Sequence, residues 1–586
     1  MRLEATGIRV DSGDGSHLVG LSTGDHSLGA LAVVVETAQD SDGQRFQWRL
    51  ANRSDRPVAV RSVAFVFKLS ASGPVRMWRH GYQSWSPTGV ARLGVDRDPS
   101  VHSGIEVLRA AHHADQRMVG DPYELRSEWV TVLVDDSGPV VMVGFQGSGR
   151  HDGTFRLVPD GPRLEAEAFL GDAVLQPGAA IELHPLAVRT GASQEEAVTL
   201  LEHWADANGR SAGARTAAAY QVGWCSWYQY FHAVTEAHIL DNLARSSDWP
   251  FELFQVDDGY QRAIGDWLET SPTFPSGLDG LASRITGAGH QAGIWLAPFL
   301  AAPDSEVATR HPDWLARRRR SDGSLSPLIV WQNPSWGGGR DGLMYCLDTS
   351  RPEVTAHLEE VAHAILQLGY RYLKLDFTFA PSADGVWSDP SLTPAQRVRQ
   401  GYAAIRAGAG PEAFILACGA PLSHVVGLVD AARIGQDVAP QWSLDPGDEA
   451  VPGYLATQPS TQMAWASTAA RAFMHRRLWL NDPDCLMLRT SRTRLRPEAA
   501  ATWARAVGLS GGMALVSDDL GLLGEPARDL LSECLELGRA SDAAARAGQT
   551  PAVKSLLDAP VPTDMEAAGR RLDVDVLDGS SKLSRT

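Results

Sequence analysis

Eight short apolar runs, set along residues 222–516 with helical segments between them, constrain the fold of this chain more than any other feature. They are Val222–Trp227, Leu253–Val256, Gly293–Ala297, Tyr372–Leu375, Phe414–Ala417, Ala431–Ile434, Leu478–Leu480 and Met513–Val516. Strand–helix alternation over eight units predicts a (β/α)8 barrel, in which polar groups at the carboxyl ends of the strands share one mouth. Between the third and fourth runs, Ser350-Arg-Pro-Glu353 has the form of a capping box with Pro in the first turn, so a helix is expected to start there. The segment Ala301–Cys346 before it is a long loop excursion, and its Arg317-Arg-Arg-Arg320 run reads as a solvated face.

The texture differs on either side. Val63, Phe65, Phe67 and Leu69 alternate with Ala64, Val66 and Lys68, the period of a strand with one face buried. Trp129–Val134 and Val140–Phe145 flank Asp135-Asp-Ser-Gly-Pro139, a turn-rich join that predicts a hairpin. Ser193 is the expected N-cap of a linking helix over 194–207. Beyond Leu523, helical residues precede Arg571–Leu577, which alternates like a strand, and the last ten residues are expected to be disordered or tag-like. A chain of 586 residues exceeds one typical core. The expected architecture is therefore multidomain: an N-terminal β-sandwich over 1–192, a helical linker over 193–219, a central TIM barrel over 220–525 and a short C-terminal β-containing region over 526–586.

Composition narrows the function. A formal charge of −17 argues against a nucleic-acid groove, which requires a basic field. Eighteen tryptophans suit stacking on sugar rings, although filling a large core accounts for most of them. Five widely spaced cysteines with no C-x-x-C predict neither a disulfide framework nor a zinc site. The start lacks the apolar stretch of a signal peptide and no run of 18 apolar residues occurs, so a cytoplasmic protein without membrane contact is expected.

Two of the runs end in carboxylates with cations nearby. Lys374 and Asp376 lie two apart in Tyr370–Phe379, so on a strand they project together while Leu373, Leu375 and Phe377 pack behind. Arg433 precedes Asp437 by four residues at the end of the sixth run. Glycoside cleavage needs two carboxyl groups, one as nucleophile and one to protonate the leaving oxygen, and an adjacent Lys or Arg favours the ionised form. Asp257 and Asp258 end the second run, where carboxylate oxygens suit vicinal hydroxyls. Asn481-Asp-Pro-Asp484 and Ser517-Asp-Asp519 read as caps, turns or supporting groups.

These residues carry a family resemblance. In order along the chain stand Trp224-Cys-Ser-Trp-Tyr228, Phe254-Gln-Val-Asp-Asp-Gly259, Gly293-Ile-Trp-Leu-Ala-Pro298 with His311-Pro-Asp-Trp314, Lys374-Leu-Asp376, Ala417-Cys-Gly-Ala-Pro421, Arg433-Ile-Gly-Gln-Asp437 and Leu480-Asn-Asp-Pro-Asp484. From about residue 75 to 525 the chain resembles the α-galactosidases of glycoside hydrolase family 36, close to the compact bacterial members. The resemblance implies Asp376 as nucleophile and Asp437 as acid/base of a retaining enzyme that releases terminal α-galactose from melibiose- or raffinose-type oligosaccharides. It implies Asp257 and Asp258 on the 4- and 6-hydroxyls, Lys374 on the 3- and 4-hydroxyls, Arg433 on the 2-hydroxyl side and Cys418 near C2. Trp227 would wall the ring, with Trp85 of His80-Gly-Tyr-Gln-Ser-Trp85 lent by the N-terminal domain. The family's loop tryptophan corresponds to Trp336 in preference to Trp331.

No cofactor or metal is expected, because the two carboxyl groups supply both proton transfer and covalent attack. An oligomer is left open. The chain departs from the family in a shortened C-terminal β region and a longer loop from Arg317 to Gly342. Alternative readings are an α-N-acetylgalactosaminidase, a galactosyl-transferring relative, and, in a different class, a non-catalytic galactose-binding protein.

Overall fold

The computed structural model describes residues 1–21, 24–40, 43–97, 106–117, 121–336, 342–445 and 458–586. All eight apolar runs become strands of one parallel sheet: β1 Val222–Cys225, β2 Leu253–Val256, β3 Gln291–Leu296, β4 Tyr372–Leu375, β5 Phe414–Ala417, β6 Ala431–Arg433, β7 Leu480–Asp482 and β8 Ala514–Val516. Neighbours pair in chain order and β1 pairs with β8. Between β7 and β8 the ring closes through Met513 N–H donating to the Asn481 carbonyl at 3.0 Å and a parallel bridge of Leu486 with Val516. Nearly every strand residue is buried, as it must be where helices cover one face and the barrel interior fills the other.

Before the barrel lie two antiparallel sheets, one of six strands and one of nine. They pack face to face: Trp48 and Phe46 of the nine-stranded sheet meet Phe65 of the six-stranded sheet with ring centroids 4.5 and 4.8 Å apart. The strand Val58–Ser70 buries Val63, Phe65, Phe67 and Leu69, and Val130–Val134 pairs antiparallel with Val140–Phe145 across the expected turn. These two sheets form the sandwich that the alternating pattern predicts.

Three local expectations change. The linking helix runs Glu196–Ala212, longer than expected, and ends at Gly213 in the left-handed conformation (φ 66°). Ser193 does not cap it with a side chain; only its backbone carbonyl takes part, accepting from Glu196 N–H at 3.2 Å. A helix does start at Pro352, but the Ser350 hydroxyl turns away to Asp348, so no capping box forms and Pro352 in the first turn sets the start. The last ten residues are ordered: Ser581–Arg585 is the edge strand of a three-stranded sheet with Asp564–Ala567 and Arg570–Val574, placing Leu583 opposite the fully buried Leu572.

The loop excursion after β3 folds into small antiparallel pairs, Leu300–Ala301 and Ile329–Gln332 on Leu343–Cys346, and Arg317–Arg319 on Leu325–Pro327. Arg318–Arg320 are exposed, as a solvated face requires; residues 337–341 of the same loop lie outside the described set. Among the described residues no helix is long and apolar enough to cross a membrane.

Candidate active site

The carboxyl ends of the barrel strands converge on a cluster of buried charge. Asp376, one residue past β4, is 7% exposed. It accepts hydrogen bonds from Trp295 Nε1 at 3.0 Å and from the Phe377 backbone at 2.8 Å. Burial pushes its carboxyl above the usual range, against the Lys374 charge and these two donors, while Asp437 adds to the rise.

Lys374 acts on Asp376 through its charge, as expected, but its hydrogen bond goes elsewhere. Strand parity does send Lys374 into the same cavity, but its ammonium lies 2.9 Å from Asp257 Oδ2. Asp257 also takes Gln255 Nε2 and Cys225 Sγ. Burial opposes the lysine's charge, yet Asp257 beside it holds the ammonium well above its ordinary value. Lys374 therefore reaches Asp376 through its field and Asp257 through a hydrogen bond.

Asp258, the next residue, faces the other side of the β2 turn. Gln261 Nε2 and Trp336 Nε1 each donate to it at 2.6 Å. Burial nevertheless pushes its carboxyl up to about 6, with Asp257 and Asp376 adding to the rise against the two donors. Trp336 thus meets the carboxylate cluster through Asp258. Trp331 contributes differently, packing its ring 5.2 Å from Phe377 and 6.3 Å from Trp85.

Arg433 at the end of β6 is almost fully buried and touches three carboxylates: Asp437 at 3.0 Å, Asp482 at 3.1 Å and Asp484 at 2.8 Å. Burial disfavours its charge, but Asp484 and Asp482 more than restore it, and its pKa lies well above the ordinary arginine value. Asp484 is pushed up to about 6 by burial, with Arg433 opposing and Asp437 and Asp482 assisting. Asp437 is the outermost of the set, with a third of its side chain exposed.

Cys418, just past β5, is 1% exposed; burial, then the nearby Asp376, keeps its thiol protonated well above the usual range. Gly419 follows at φ 52°, where an added Cβ would lie 2.8 Å from both the Phe377 backbone nitrogen and the Trp85 ring. Only glycine allows that approach. Trp85 reaches this point from the sandwich, its ring 5.0 Å from Phe377. Trp227 stands half-buried past the end of β1. Every residue expected at the site is thus at the barrel mouth or its rim, and Lys374 adds a hydrogen bond to Asp257 that strand period did not name.

The family model described as Melibiase matches residues 221–380, from the start of β1 past Asp376. The α-galactosidase AgaA of Geobacillus stearothermophilus is 28% identical over 162 residues, 26% of this chain and 20% of AgaA. The solved α-galactosidase of Thermus thermophilus, in complex with stachyose, is 27% identical with a TM-score of 0.67, covering 88% of this chain and 99% of that one. The chain is similar to the α-galactosidases of glycoside hydrolase family 36. The matched segments span only a fifth or less of the first curated relatives, AgaA and the α-galactosidase of Escherichia coli.

One supporting residue, Trp295, stood in the sequence only as part of a motif, with no role of its own. Trp295 stands next to the end of β3; its signal is a large ring with a polar handle placed where the run reaches the mouth. Asp484 was set aside as a supporting group and is one: its carboxylate also accepts from the Tyr228 hydroxyl and from Val438 N–H at 2.9 Å, the residue after Asp437. Asp518 and Asp519 hold loops, Asp518 through Arg489 at 2.6 Å and Asp519 by accepting from Gly521 N–H at 2.8 Å.

Proposed function

We propose that this chain is a retaining α-galactosidase that releases terminal α-galactose from oligosaccharides of the melibiose and raffinose type. One observation carries the reading: a buried carboxylate, Asp376, fixed by two donors, faces the field of a second, partly exposed carboxylate, Asp437, across the barrel mouth. The difference in exposure suits a division of labour. Asp376, locked in orientation, attacks the anomeric carbon. Asp437, open to solvent and steered by Arg433, protonates the leaving oxygen and then removes a proton from the water that hydrolyses the galactosyl–aspartate ester.

The surrounding polar groups fit the hydroxyls of one hexose. Asp257 and Asp258 accept from the 4- and 6-hydroxyls, Lys374 donates to the 3- and 4-hydroxyls, and Arg433 lies on the 2-hydroxyl side next to Cys418. Trp227, Trp85 and Trp336 enclose the ring. Cys418-Gly419 has the galactosidase form of the motif it resembles, which favours galactose over N-acetylgalactosamine. Stachyose, an α-galactoside, is bound by the Thermus relative, which supports the same substrate class here.

Turnover of 4-nitrophenyl α-galactoside, measured beside the 2-acetamido analogue, tests the reading. Release of galactose with retained anomeric configuration, lost by at least about a thousandfold in Asp376→Ala with folding intact, is expected. A liganded structure should place the two carboxyl groups about 5–5.5 Å apart; a separation near 9 Å is the inverting geometry and would rule the mechanism out. Binding of galactose without turnover would instead indicate a sugar-binding protein.

A further inference from the structure

The residue after the short helix that carries Trp227 and Tyr228 is in an unusual state. Phe231 has φ 48° and ψ −151°, a region that bulky residues avoid, and its side chain is 41% exposed. An exposed phenylalanine alone is ordinary. Together the two features are not, because an exposed phenylalanine recovers little from burial with which to offset backbone strain. Glycine would take this conformation freely, so the backbone gives no reason for an aromatic ring here.

Its neighbours place it. The Phe231 ring stands edge-on to Trp227 with centroids 5.1 Å apart, and to Tyr228 at 6.4 Å. Tyr228 leads to the acid/base side of the mouth: its hydroxyl bonds to Asp484, which also holds the backbone of Val438 beside Asp437. The strained turn is clamped from the other side by Gly259, where an added Cβ would come within 2.8 Å of the His232 carbonyl oxygen. Phe231 thus adjoins Trp227 and is connected, through Tyr228 and Asp484, to the segment that carries Asp437.

We propose that Phe231 is the platform for the sugar ring on the leaving side of the scissile bond, its exposed face taking the apolar C–H face of a neutral hexopyranose. The inference rests on the reading of Asp376 and Asp437 given above, because the leaving group departs toward the residue that protonates it. It assigns leaving-group preference to the loop after β1.

Comparing two substrates with the same galactose tests it: melibiose, whose leaving group is a sugar ring, and methyl α-galactoside, whose leaving group is not. In Phe231→Gly, which relieves the strain and should melt no lower than wild type, the ratio of kcat/KM for melibiose to that for methyl α-galactoside should fall roughly threefold to tenfold. Phe231→Tyr, which keeps the ring, should hold the ratio within about twofold of wild type. A ratio unchanged in Phe231→Gly, including equal losses on both substrates, overturns the platform. Wild-type protein that releases galactose from neither substrate would instead overturn the reading of the centre, and the platform with it.

Discussion

At the scale of single residues, protonation is set by how far burial outweighs local hydrogen bonding. Asp258 has two strong donors, yet burial carries its carboxyl to about 6. In the unfolded chain an aspartate titrates near 4, so the folded state binds this proton more tightly. The stability it confers is therefore full below about pH 4 and is lost as pH rises to about 6, by on the order of 3 kcal/mol. Asp258→Asn should remove that loss: the unfolding free energy of the variant, minus that of wild type, should rise between pH 4 and pH 7 in denaturant titrations. Asp484, also pushed up to about 6, contributes a loss of the same sign that remains in both proteins. A constant difference across this range would mean that Asp258 titrates at its ordinary value.

At the scale of elements, the segment leaving β6 matters most, because it carries Asp437. Its backbone is tied at each step: Val438 to Asp484, Ala439 to the Thr461 hydroxyl at 2.8 Å, Pro440 to Arg494 N–H at 2.7 Å and Trp442 to Gln462 N–H at 2.8 Å. The Trp442 indole then donates to the Val576 carbonyl at 2.9 Å, joining this segment to the C-terminal sheet. Trp442→Phe should cost about 1 kcal/mol in chemical denaturation, as one net hydrogen bond is lost. Loosening the segment should also slow melibiose, which needs a protonated leaving oxygen, more than 2,4-dinitrophenyl α-galactoside, which does not. Equal effects on the two substrates would limit the contact to stability.

The same elements mark what a sequence can convey. The eight runs were legible because strands of a barrel are apolar along their length and separated by helices. The caps were not, because a hydroxyl such as that of Ser350 has a choice of partners, and Asp348 is nearer. The C-terminal strand was missed because Ser581–Arg585 has little apolar content and is held by pairing with Arg570–Val574. Strand period placed Lys374 in the right cavity beside Asp376, but could not name its hydrogen-bond partner Asp257, which lies 117 positions away.

At the scale of the whole molecule, one side chain fastens the sandwich to the barrel. Arg471 is fully buried, and among the described residues none of its partners is a carboxylate. Its guanidinium instead donates to five backbone carbonyls: Gly81, Gln83, Ser84 and Ser86 of the sandwich loop, and Ile434 at the end of β6. Burial without a counter-charge lowers its pKa to about 9, so it remains charged at neutral pH and each bond is charge-assisted. Trp85 sits inside the loop it gathers, so the position of the aromatic wall in the barrel mouth depends on an arginine nearly 390 positions further along the chain. Arg471→Met should leave these carbonyls unanswered and cost roughly 3–5 kcal/mol, seen as a large fall in melting temperature. The milder Arg471→Lys separates anchoring from general stability when combined with Trp85→Ala in a double-mutant cycle on kcat/KM for melibiose. If Arg471 acts through Trp85, the second substitution should add little to the first, leaving a coupling of about 1 kcal/mol or more. Additive losses would show that the arginine supports the fold and that the aromatic wall keeps its place without it.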